Sequence, residues 1–513
     1  MFCKVMSGAL QGIECYLVTV EVDISRGLPC MELVGFLSSE VREAKERVRV
    51  AMHNCDVPVP GQRVTVNLSP ANVRKAGSSF DLPIAVGILG ALGRVEEIWQ
   101  KKAIFTGELG LDGTVRGVNG ILPIVLEARK KGFLACVLPK ENEEEGKMVK
   151  GIAVLGVSHL GEIIHLISQK EIPMPGQNKE TMLQEPKEEP DFSEVMGQET
   201  AKRAALIAAA GFHHFLMLGV PGVGKTMIAK RIPGILPKLS EEDCLEVSKV
   251  YSISGLLKEG RLMTVPPYVA PHHSITRQAL TGGGKVPVPG ALSLAHKGVL
   301  FLDEMTEFKR ETLDSMRQPL EEKRIEIIRN AGMFTYPADF MLVGAMNLCP
   351  CGYFPDLRKC RCSLYERKRY MNRVSGPLLD RMDMCITVEP PKIRVLMGNG
   401  EKEGQTSRMM AGMVKEARKI QKERYQGTGV LYNSHLKDDM IKAHCELNGD
   451  AGKLFDEIVW QRELSPRACY RTLKLARTIA DLEKSQRIQK EHIAEAFSYS
   501  TGLDVFSKGA LEE

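Results

Sequence analysis

The chain has 513 residues, which is too long for one hydrophobic core and indicates about three domains of ordinary size. Its 69 Lys and Arg residues nearly balance 64 Asp and Glu residues, so a net charge of +5 neither favours nor excludes an anionic polymer as a partner. The sequence lacks a signal-peptide pattern and any uninterrupted apolar run of about 18 residues. We therefore expect a cytoplasmic protein with no membrane partner, whose 13 cysteines are mostly buried thiols.

Residues 1–170 alternate strand-like and helix-like runs. The segments 16–24 and 63–69 are rich in β-branched residues and predict strands, whereas the apolar residues of 39–54 repeat at the 3.6-residue period of a helix. Residues 171–190 are rich in Pro, Gln, Glu and Lys and have little apolar surface to bury, so they predict a flexible linker. The sequence therefore predicts an α/β N-terminal domain that ends near residue 170.

A second α/β domain is predicted over residues 191–395. Apolar runs at 214–219, 298–304 and 339–347 have the composition of strands that are buried on both faces. Strands of this kind form parallel sheets with helices on each side. Residues 406–513 follow the helical period throughout, most clearly at 467–483 and 490–500, and predict a C-terminal helical domain.

A phosphate-binding motif follows the first of these strands. The segment GVPGVGKT fits the pattern GxxxxGK[ST] and lies between a predicted strand and a predicted helix, which is the context that the motif requires. Converging backbone N–H groups and Lys225 would hold the phosphates of ATP, and Thr226 would ligate Mg²⁺. A chance match in a glycine-rich turn is the alternative. The predicted nucleotide-binding residues are Gly219, Gly222, Val223, Gly224, Lys225 and Thr226.

Polar side chains end the other two strands. We expect Asp303 to hold the magnesium shell and Glu304 to orient and polarise the attacking water, because phosphoryl transfer is catalysed mainly by positioning and charge stabilisation. Asn347 ends the third strand and is placed to orient the same water. The alternatives are an acidic pair that caps a helix over 306–320 and an asparagine that only makes a turn.

Four cysteines follow Asn347 within fourteen residues, as CxC, eight residues and CxC. Four thiolates suit a closed tetrahedral zinc site, and a bound metal would stabilise a loop that has few apolar residues. Redox-active thiols and four unpaired cysteines are the alternatives. The predicted zinc ligands are Cys349, Cys351, Cys360 and Cys362.

The motifs together resemble the YifB/ComM family of magnesium-chelatase-like AAA+ ATPases. The segments that carry this resemblance are GVPGVGKT, GVLFLDE, GAMN, SGPLLDRMD, LSPRA and APHHSITRQALTGGG. The resemblance extends from end to end and implies an AAA+ core, a helical lid and a homo-oligomeric ring, usually a hexamer. It implies that Asn347 is sensor 1, that Arg381 is an arginine finger given to a neighbour's ATP, and that Arg467 is sensor 2. A salt bridge to Asp380 or Asp383 is the alternative for Arg381, and a surface charge is the alternative for Arg467.

The same family has an N-terminal domain similar in fold to the Lon protease domain. Proteolysis of the Lon type needs a serine nucleophile and a lysine base within hydrogen-bond reach. Alignment with Lon puts Ser79 at the nucleophile position but Leu122 at the lysine position, and Lys130 and Lys131 lie too far along the helix to replace it. We therefore expect a non-proteolytic domain in which Ser78 and Ser79 are turn residues.

Two functions fit such a motor. The resemblance implies a helicase or branch-migration factor that acts on branched or single-stranded DNA during natural transformation; the alternative is a chelatase-like remodelling or metal-insertion motor. Residues 319–336 predict a projecting β-hairpin on which Lys323, Arg324 and Arg329 could contact DNA phosphates. A solvated hairpin of mixed charge is the alternative, because acidic residues lie alongside. These are Glu321, Glu322 and Glu326.

Overall fold

The computed structural model describes residues 1–174, 190–257, 261–330, 332–390 and 405–501. Most of the predicted linker, the end of the predicted ATPase domain and the last residues of the chain lie outside these ranges. Within them, no helix combines the length and the apolar character that crossing a membrane requires.

A seven-stranded mixed sheet organises the N-terminal part of the chain. The long strands Phe2–Gln11 and Glu14–Ser25 pair antiparallel at its centre. Parallel strands continue the sheet from Phe2–Gln11 outward on one side. The strands, in spatial order, are Cys30–Val34, Arg63–Ser69, Glu14–Ser25, Phe2–Gln11, Ala103–Phe105, Ala135–Pro139 and Ala153–Val157.

Helices cover both faces of this sheet. Ser39–Asn54 begins at Ser38, whose hydroxyl accepts from the Val41 N–H, and buries a stripe of residues at helical spacing. Asp81–Ala91 packs beside it on the same face, and Ile121–Lys130 packs on the opposite face. The predicted strands and the predicted helix of this region are confirmed. The remaining helices are Glu97–Lys102, Glu143–Lys147 and Leu160–Ile167.

A five-stranded parallel sheet organises the central part of the chain. Its strands, in spatial order, are Tyr268–Val269, Val299–Leu302, Met341–Met346, Phe215–Leu218 and Met384–Thr387. Alternate side chains of one strand enter cores on opposite faces: Val299 and Phe301 enter one, and Leu300 and Leu302 enter the other. The predicted parallel sheet, buried on both faces, is confirmed.

Short helices and two β-ribbons surround this sheet. The helices are Glu199–Gly211, Lys225–Arg231, Glu241–Ile253, Arg277–Thr281, Ala291–Leu294, Arg310–Asp314, Arg317–Glu322, Leu364–Met371 and Gly376–Leu379. The ribbons pair Gly282–Gly283 with Val288–Pro289 and Arg324–Arg329 with Gly332–Pro337. The continuous helix predicted over 306–320 is wrong, because a one-turn 3-10 helix at Met305–Glu307 and two short α-helices occupy that region.

Five helices form the C-terminal part of the described chain, as predicted. They are Ser407–Arg424, Asp438–His444, Gly449–Arg462, Pro466–Leu482 and Lys490–Thr501. The first of them packs on Glu199–Gly211, and the Arg418 guanidinium donates to the Ala209 carbonyl at 2.6 Å. One apolar core runs through both parts, so the lid is packed onto one face of the central sheet.

The N-terminal part also contacts the central part. The Ser252 hydroxyl donates to Glu145 Oε1 at 2.5 Å, and the Gly120 N–H donates to the Ser252 carbonyl at 3.1 Å. At a second point the Gln11 amide donates to the Met333 carbonyl at 2.8 Å. The turn between the first two strands thus lies against the 324–337 ribbon.

Candidate functional site

The phosphate loop joins strand Phe215–Leu218 to helix Lys225–Arg231. Gly222 and Gly224 have φ angles of 80° and 99°, a left-handed conformation that side chains other than glycine rarely adopt. A β-carbon on Gly219 would lie 2.5 Å from the Val388 carbonyl oxygen, so the loop also needs glycine where it passes the neighbouring strand. The sequence therefore produces a tight turn that presents backbone N–H groups at a helix N-terminus.

Lys225 is buried beneath this loop. Its ammonium group donates to the carbonyls of Gly219 at 2.7 Å and Val220 at 3.0 Å, and to Asn347 Oδ1 at 3.2 Å. Burial lowers the pKa of Lys225, and the carboxylates of Asp303 and Glu304 partly offset that effect. The ammonium group therefore lies at the loop, where phosphate oxygens could replace the carbonyl and amide oxygens that now accept from it.

The acidic pair follows strand Val299–Leu302 at the same edge of the sheet. The Thr226 hydroxyl donates to Asp303 Oδ2 at 2.7 Å, which brings the two predicted magnesium ligands together. Glu304 has a φ of 48°, an uncommon conformation for a residue with a side chain, and its carboxylate is exposed. His273 Nδ1 lies 3.9 Å from that carboxylate.

These groups surround one cavity of about 340 Å³. It lies where the carboxyl ends of three parallel strands meet, because Leu218 is paired with Met346 and Leu302 with Gly344. The residues predicted to bind phosphate, to bind magnesium and to orient the water therefore share one site. Of the predicted residues, Gly222, Gly224, Lys225, Thr226, Asp303, Glu304 and Asn347 line it.

The two predicted arginines converge elsewhere. Arg381 Nη2 lies 2.6 Å and Arg467 Nη2 lies 3.3 Å from the same oxygen, Glu321 Oε1. Both arginines line a second cavity of about 620 Å³, which Lys225, Asp303 and Glu304 do not line. The structure therefore brings Arg381 and Arg467 to each other and not to the phosphate loop of their own chain.

The four clustered cysteines have the geometry of a metal site. Cys349 and Cys360 are buried, and all four sulfur atoms lie within 4.8 Å of one another. The sulfur of Cys351 lies 3.4 Å from that of Cys349 and 3.6 Å from that of Cys360. Zinc bound to four thiolates at about 2.3 Å has sulfur–sulfur edges of about 3.8 Å, so the donor set fits this metal closely.

The cysteine loop also touches the phosphate loop. Gly352 has a φ of 80°, and a β-carbon added there would lie 2.8 Å from Cγ of Pro221. The close approach brings the cysteine cluster next to the predicted phosphate loop.

Comparison with known proteins agrees with this geometry. Family profiles match residues 191–396 ("Magnesium chelatase, subunit ChlI"), 20–142 ("Subunit ChlI of Mg-chelatase") and 404–500 ("Magnesium chelatase, subunit ChlI C-terminal"). The chain is 39% identical over 507 residues to competence protein ComM of Haemophilus influenzae, covering 98% of each protein. It is 38% identical over 494 residues to the uncharacterized protein YifB of Escherichia coli, covering 96% of this chain and 95% of that one.

The chain belongs to the YifB/ComM family of magnesium-chelatase-like AAA+ ATPases. Membership implies ATP and Mg²⁺ as cofactors, and AAA+ proteins of this kind are typically oligomeric. Lon protease 2 of Bacillus subtilis is 26% identical in an alignment of 251 residues that covers 43% of this chain and 46% of that protein. The Lon-like α/β fold expected for the YifB/ComM N-terminal region accords with this similarity.

The Lon-like region has no lysine at the position of the catalytic base. Leu122 is fully buried in helix Ile121–Lys130, and a leucine cannot accept a proton from a serine. Lys130 and Lys131 pair with Glu127 at 4.0 and 3.8 Å on the exposed side of the helix. Ser79 therefore has no activating partner at the expected place.

The predicted hairpin forms, but two features of its prediction are wrong. Lys323 lies before the first strand, at the end of helix Arg317–Glu322, and burial lowers its pKa to about 8 beside Asp339. It lines the cavity that holds Arg381, so it is not part of the hairpin surface. The hairpin also does not project freely, because the turn containing Gln11 packs against it. Arg324 and Arg329 are exposed on it.

Glu321, Pro221 and Gly352 are site residues that the sequence did not identify. The sequence indicates Glu321 only as an acidic residue beside the hairpin, because its partners Arg381 and Arg467 lie 60 and 146 residues further along the chain. The strict pattern of the phosphate motif leaves Pro221 unspecified. Only the tertiary contact between the two loops gives Pro221 and Gly352 a role.

Proposed function

We propose that this protein is an ATP-driven ring motor acting on branched or single-stranded DNA, as a branch-migration helicase in recombination during natural transformation. The supporting observation is near full-length similarity to a protein named for competence, at 39% identity over 98% of both chains. The proposed domains are a Lon-like domain at 1–170, a linker at 171–190, an ATPase core at 191–395 and a lid at 406–513.

The residues around the smaller cavity have the following proposed roles. Lys225 and the loop N–H groups bind the β and γ phosphates, and Thr226 with Asp303 holds the magnesium that neutralises them. Glu304 orients and polarises the attacking water, and Asn347 fixes its direction. The observed contacts of Lys225 with Asn347 and of Thr226 with Asp303 support this assignment, because each places two of the groups on one reacting centre.

Arg381 and Arg467 are proposed to act on a neighbouring subunit. Both point into a cavity away from their own phosphate loop and are held by one exposed carboxylate, Glu321. The γ-phosphate of a neighbour's ATP is a stronger competing anion, and two guanidinium groups neutralise the charge that develops on it. A closed ring, most simply a hexamer, would provide this contact at every interface.

The close spacing of the four cysteine sulfurs, all within 4.8 Å of one another, supports a structural zinc site. A zinc ion there would fix the loop that carries Gly352 against Pro221 and so support the phosphate loop. No catalytic step is assigned to it.

Strand movement tests the DNA function most directly. Purified wild-type ring with ATP should migrate a labelled four-way junction, and DNA should stimulate its ATPase. Glu304→Gln protein is the matched control, because it should retain the fold and lose turnover. Active ATPase with no DNA binding, no stimulation and no junction movement at low salt would contradict the proposal. That result would favour the chelatase-like remodelling motor, which the match of the ATPase core to magnesium chelatase supports.

A further inference from the structure

A wide groove beside the candidate nucleotide site has four basic side chains among its nine lining residues. It has a volume of about 740 Å³ and lies between the turn Thr306–Arg310 and helix Leu364–Met371. Its charged and aromatic lining residues are Glu307, Phe308, Arg310, Tyr365, Lys368, Arg369 and Arg373. Neither the nucleotide site nor the arginine cavity includes any of them.

The groove has a concentrated positive charge. Four of its lining residues are basic and one, Glu307, is acidic. Three of the four basic residues, Lys368, Arg369 and Arg373, lie in the segment 356–373, which contains seven Arg and Lys residues and two acidic residues. Lys368 and Arg369 are exposed, and Arg310 is 65% exposed. A basic surface of this density attracts a polyanion, because bound phosphates displace condensed counterions.

An exposed aromatic side chain accompanies the charge. Tyr365 lines the groove and is 73% exposed, although a tyrosine at a helix surface would normally bury much of its ring. Unpaired bases stack on such rings, whereas paired bases in a duplex are already stacked. The hairpin at 324–337 has no comparable exposed aromatic residue among those that the structure describes.

The scaffold of this surface is rigid. Helix Leu364–Met371 starts one residue after Ser363, which forms a capping box with Glu366, directly after the last cysteine of the cluster. On the opposite side of the helix the Arg367 guanidinium lies 4.4 Å from the centre of the Phe354 ring. The helix is therefore fixed at its start and along one face, with Lys368 and Arg369 directed to the groove.

We infer that this basic groove binds a single DNA strand, with Lys368 and Arg369 on its phosphates and Tyr365 stacked on a base. The inference rests on the proposed DNA function and names a site for it. One wall of the groove belongs to the segment that follows Glu304. There Arg373 donates to the Thr306 carbonyl at 3.3 Å and pairs with Glu307 at 3.2 Å. A bound phosphate would compete for Arg373, so strand binding is linked to the position of the water-orienting residue.

Binding of a labelled single-stranded oligonucleotide tests the site. Lys368→Gln with Arg369→Gln should weaken binding about tenfold or more and reduce the slope of log affinity against log salt by about 1.4, the value for two lost phosphate contacts. Tyr365→Ala should weaken it about 5- to 150-fold, and Tyr365→Phe should bind like the wild type because the ring remains. Lys130→Gln with Lys131→Gln, at the exposed end of helix Ile121–Lys130, is the matched loss of two charges and should change little.

The possible results separate the explanations. Wild-type affinity in both the double variant and Tyr365→Ala would overturn the groove as a strand site and leave the DNA function intact. Loss of DNA binding together with dissociation of the oligomer in light scattering would assign the groove to contact between copies of this chain, and would also overturn it. Wild-type protein that binds no DNA at low salt would exclude the groove and the proposed function together. If the double variant has a lowered thermal unfolding midpoint, the two Tyr365 variants decide whether the groove binds the strand. Weaker binding by Tyr365→Ala than by Tyr365→Phe would support the site, and equal binding would overturn it.

Discussion

Lys225 and Glu304 are assigned to different stages of the same reaction. Lys225→Ala should abolish ATP binding, because the buried ammonium group is the charge nearest to the phosphate loop. Glu304→Gln should retain ATP binding and lower turnover by about 100-fold or more, because only the water-orienting carboxylate is lost. Titration with a fluorescent ATP analogue and a phosphate-release assay measure the two effects. Normal turnover by Glu304→Gln would refute its assignment.

The sequence could predict such residues where a local pattern determines their position. Lys225, Asp303 and Asn347 each follow a strand that the apolar pattern had placed, and parallel strands bring their carboxyl ends to one edge. Glu321 could not be found in this way. Its partner Arg467 lies 146 residues away, and only the packing of the lid brings them together.

The contact between the cysteine loop and the phosphate loop can be tested by changing Gly352, where the two loops approach each other. Gly352→Ala should weaken ATP binding, because the new methyl group would lie 2.8 Å from Pro221 Cγ and the left-handed backbone would itself cost about 1 kcal/mol or more. Gly427→Ala is the matched control, since Gly427 has the same φ of 80° and open space around it. Isothermal titration with ATP should show weaker binding only for Gly352→Ala. Equal affinities would mean that the contact does not support the nucleotide site.

The metal content of the same loop can be measured. Purified protein should contain about one zinc per chain, as expected for one closed four-thiolate site, and the change of Cys349 and Cys351 to Ser should remove it. Elemental analysis after purification under reducing conditions without chelator gives the stoichiometry. Cys3→Ser is the control, because Cys3 is a buried thiol far from the cluster in the sequence, and this variant should retain the metal. A zinc content near zero in wild-type protein would favour bare thiols.

Helices and strands could be predicted from the sequence where local interactions determine them, and not where contacts with distant residues do. Strand Arg63–Ser69 and helix Ser39–Asn54 have the predicted bounds, because their apolar periods and the cap at Ser38 are local signals. The helix predicted over 306–320 is broken, because Phe308 and Lys309 have extended backbone between the 3-10 turn and the first short α-helix. The sequence places Lys323 in the hairpin, because it carries no signal for the end of the preceding helix. The left-handed backbone of Lys323, with a φ of 57°, ends that helix just before the strand.

For the whole assembly, the shared contact of Arg381 and Arg467 with Glu321 favours catalysis between subunits. In a ring with head-to-tail interfaces, one face of each subunit presents the phosphate loop and the opposite face presents the arginines. ATP hydrolysis at each site would then depend on the arginines of the adjacent subunit, whether DNA lies inside the ring or outside it. A monomer should therefore hydrolyse ATP poorly, although its own phosphate-binding groups are in place.

Mixing two inactive variants tests this arrangement. Lys225→Ala subunits have a defective phosphate loop and an intact Arg381, whereas Arg381→Ala subunits have the reverse, and each homogeneous ring should be nearly inactive. In a random equal mixture, about one interface in four joins an intact loop to an intact arginine, so part of the ATPase activity should return. Mixing Lys225→Ala with Glu304→Gln is the control and should restore nothing, because both defects lie on the same side of the interface. If the first mixture also stays inactive while light scattering shows mixed rings, Arg381 does not act on the neighbouring subunit, and its ion pair with Glu321 is then a structural contact within one chain.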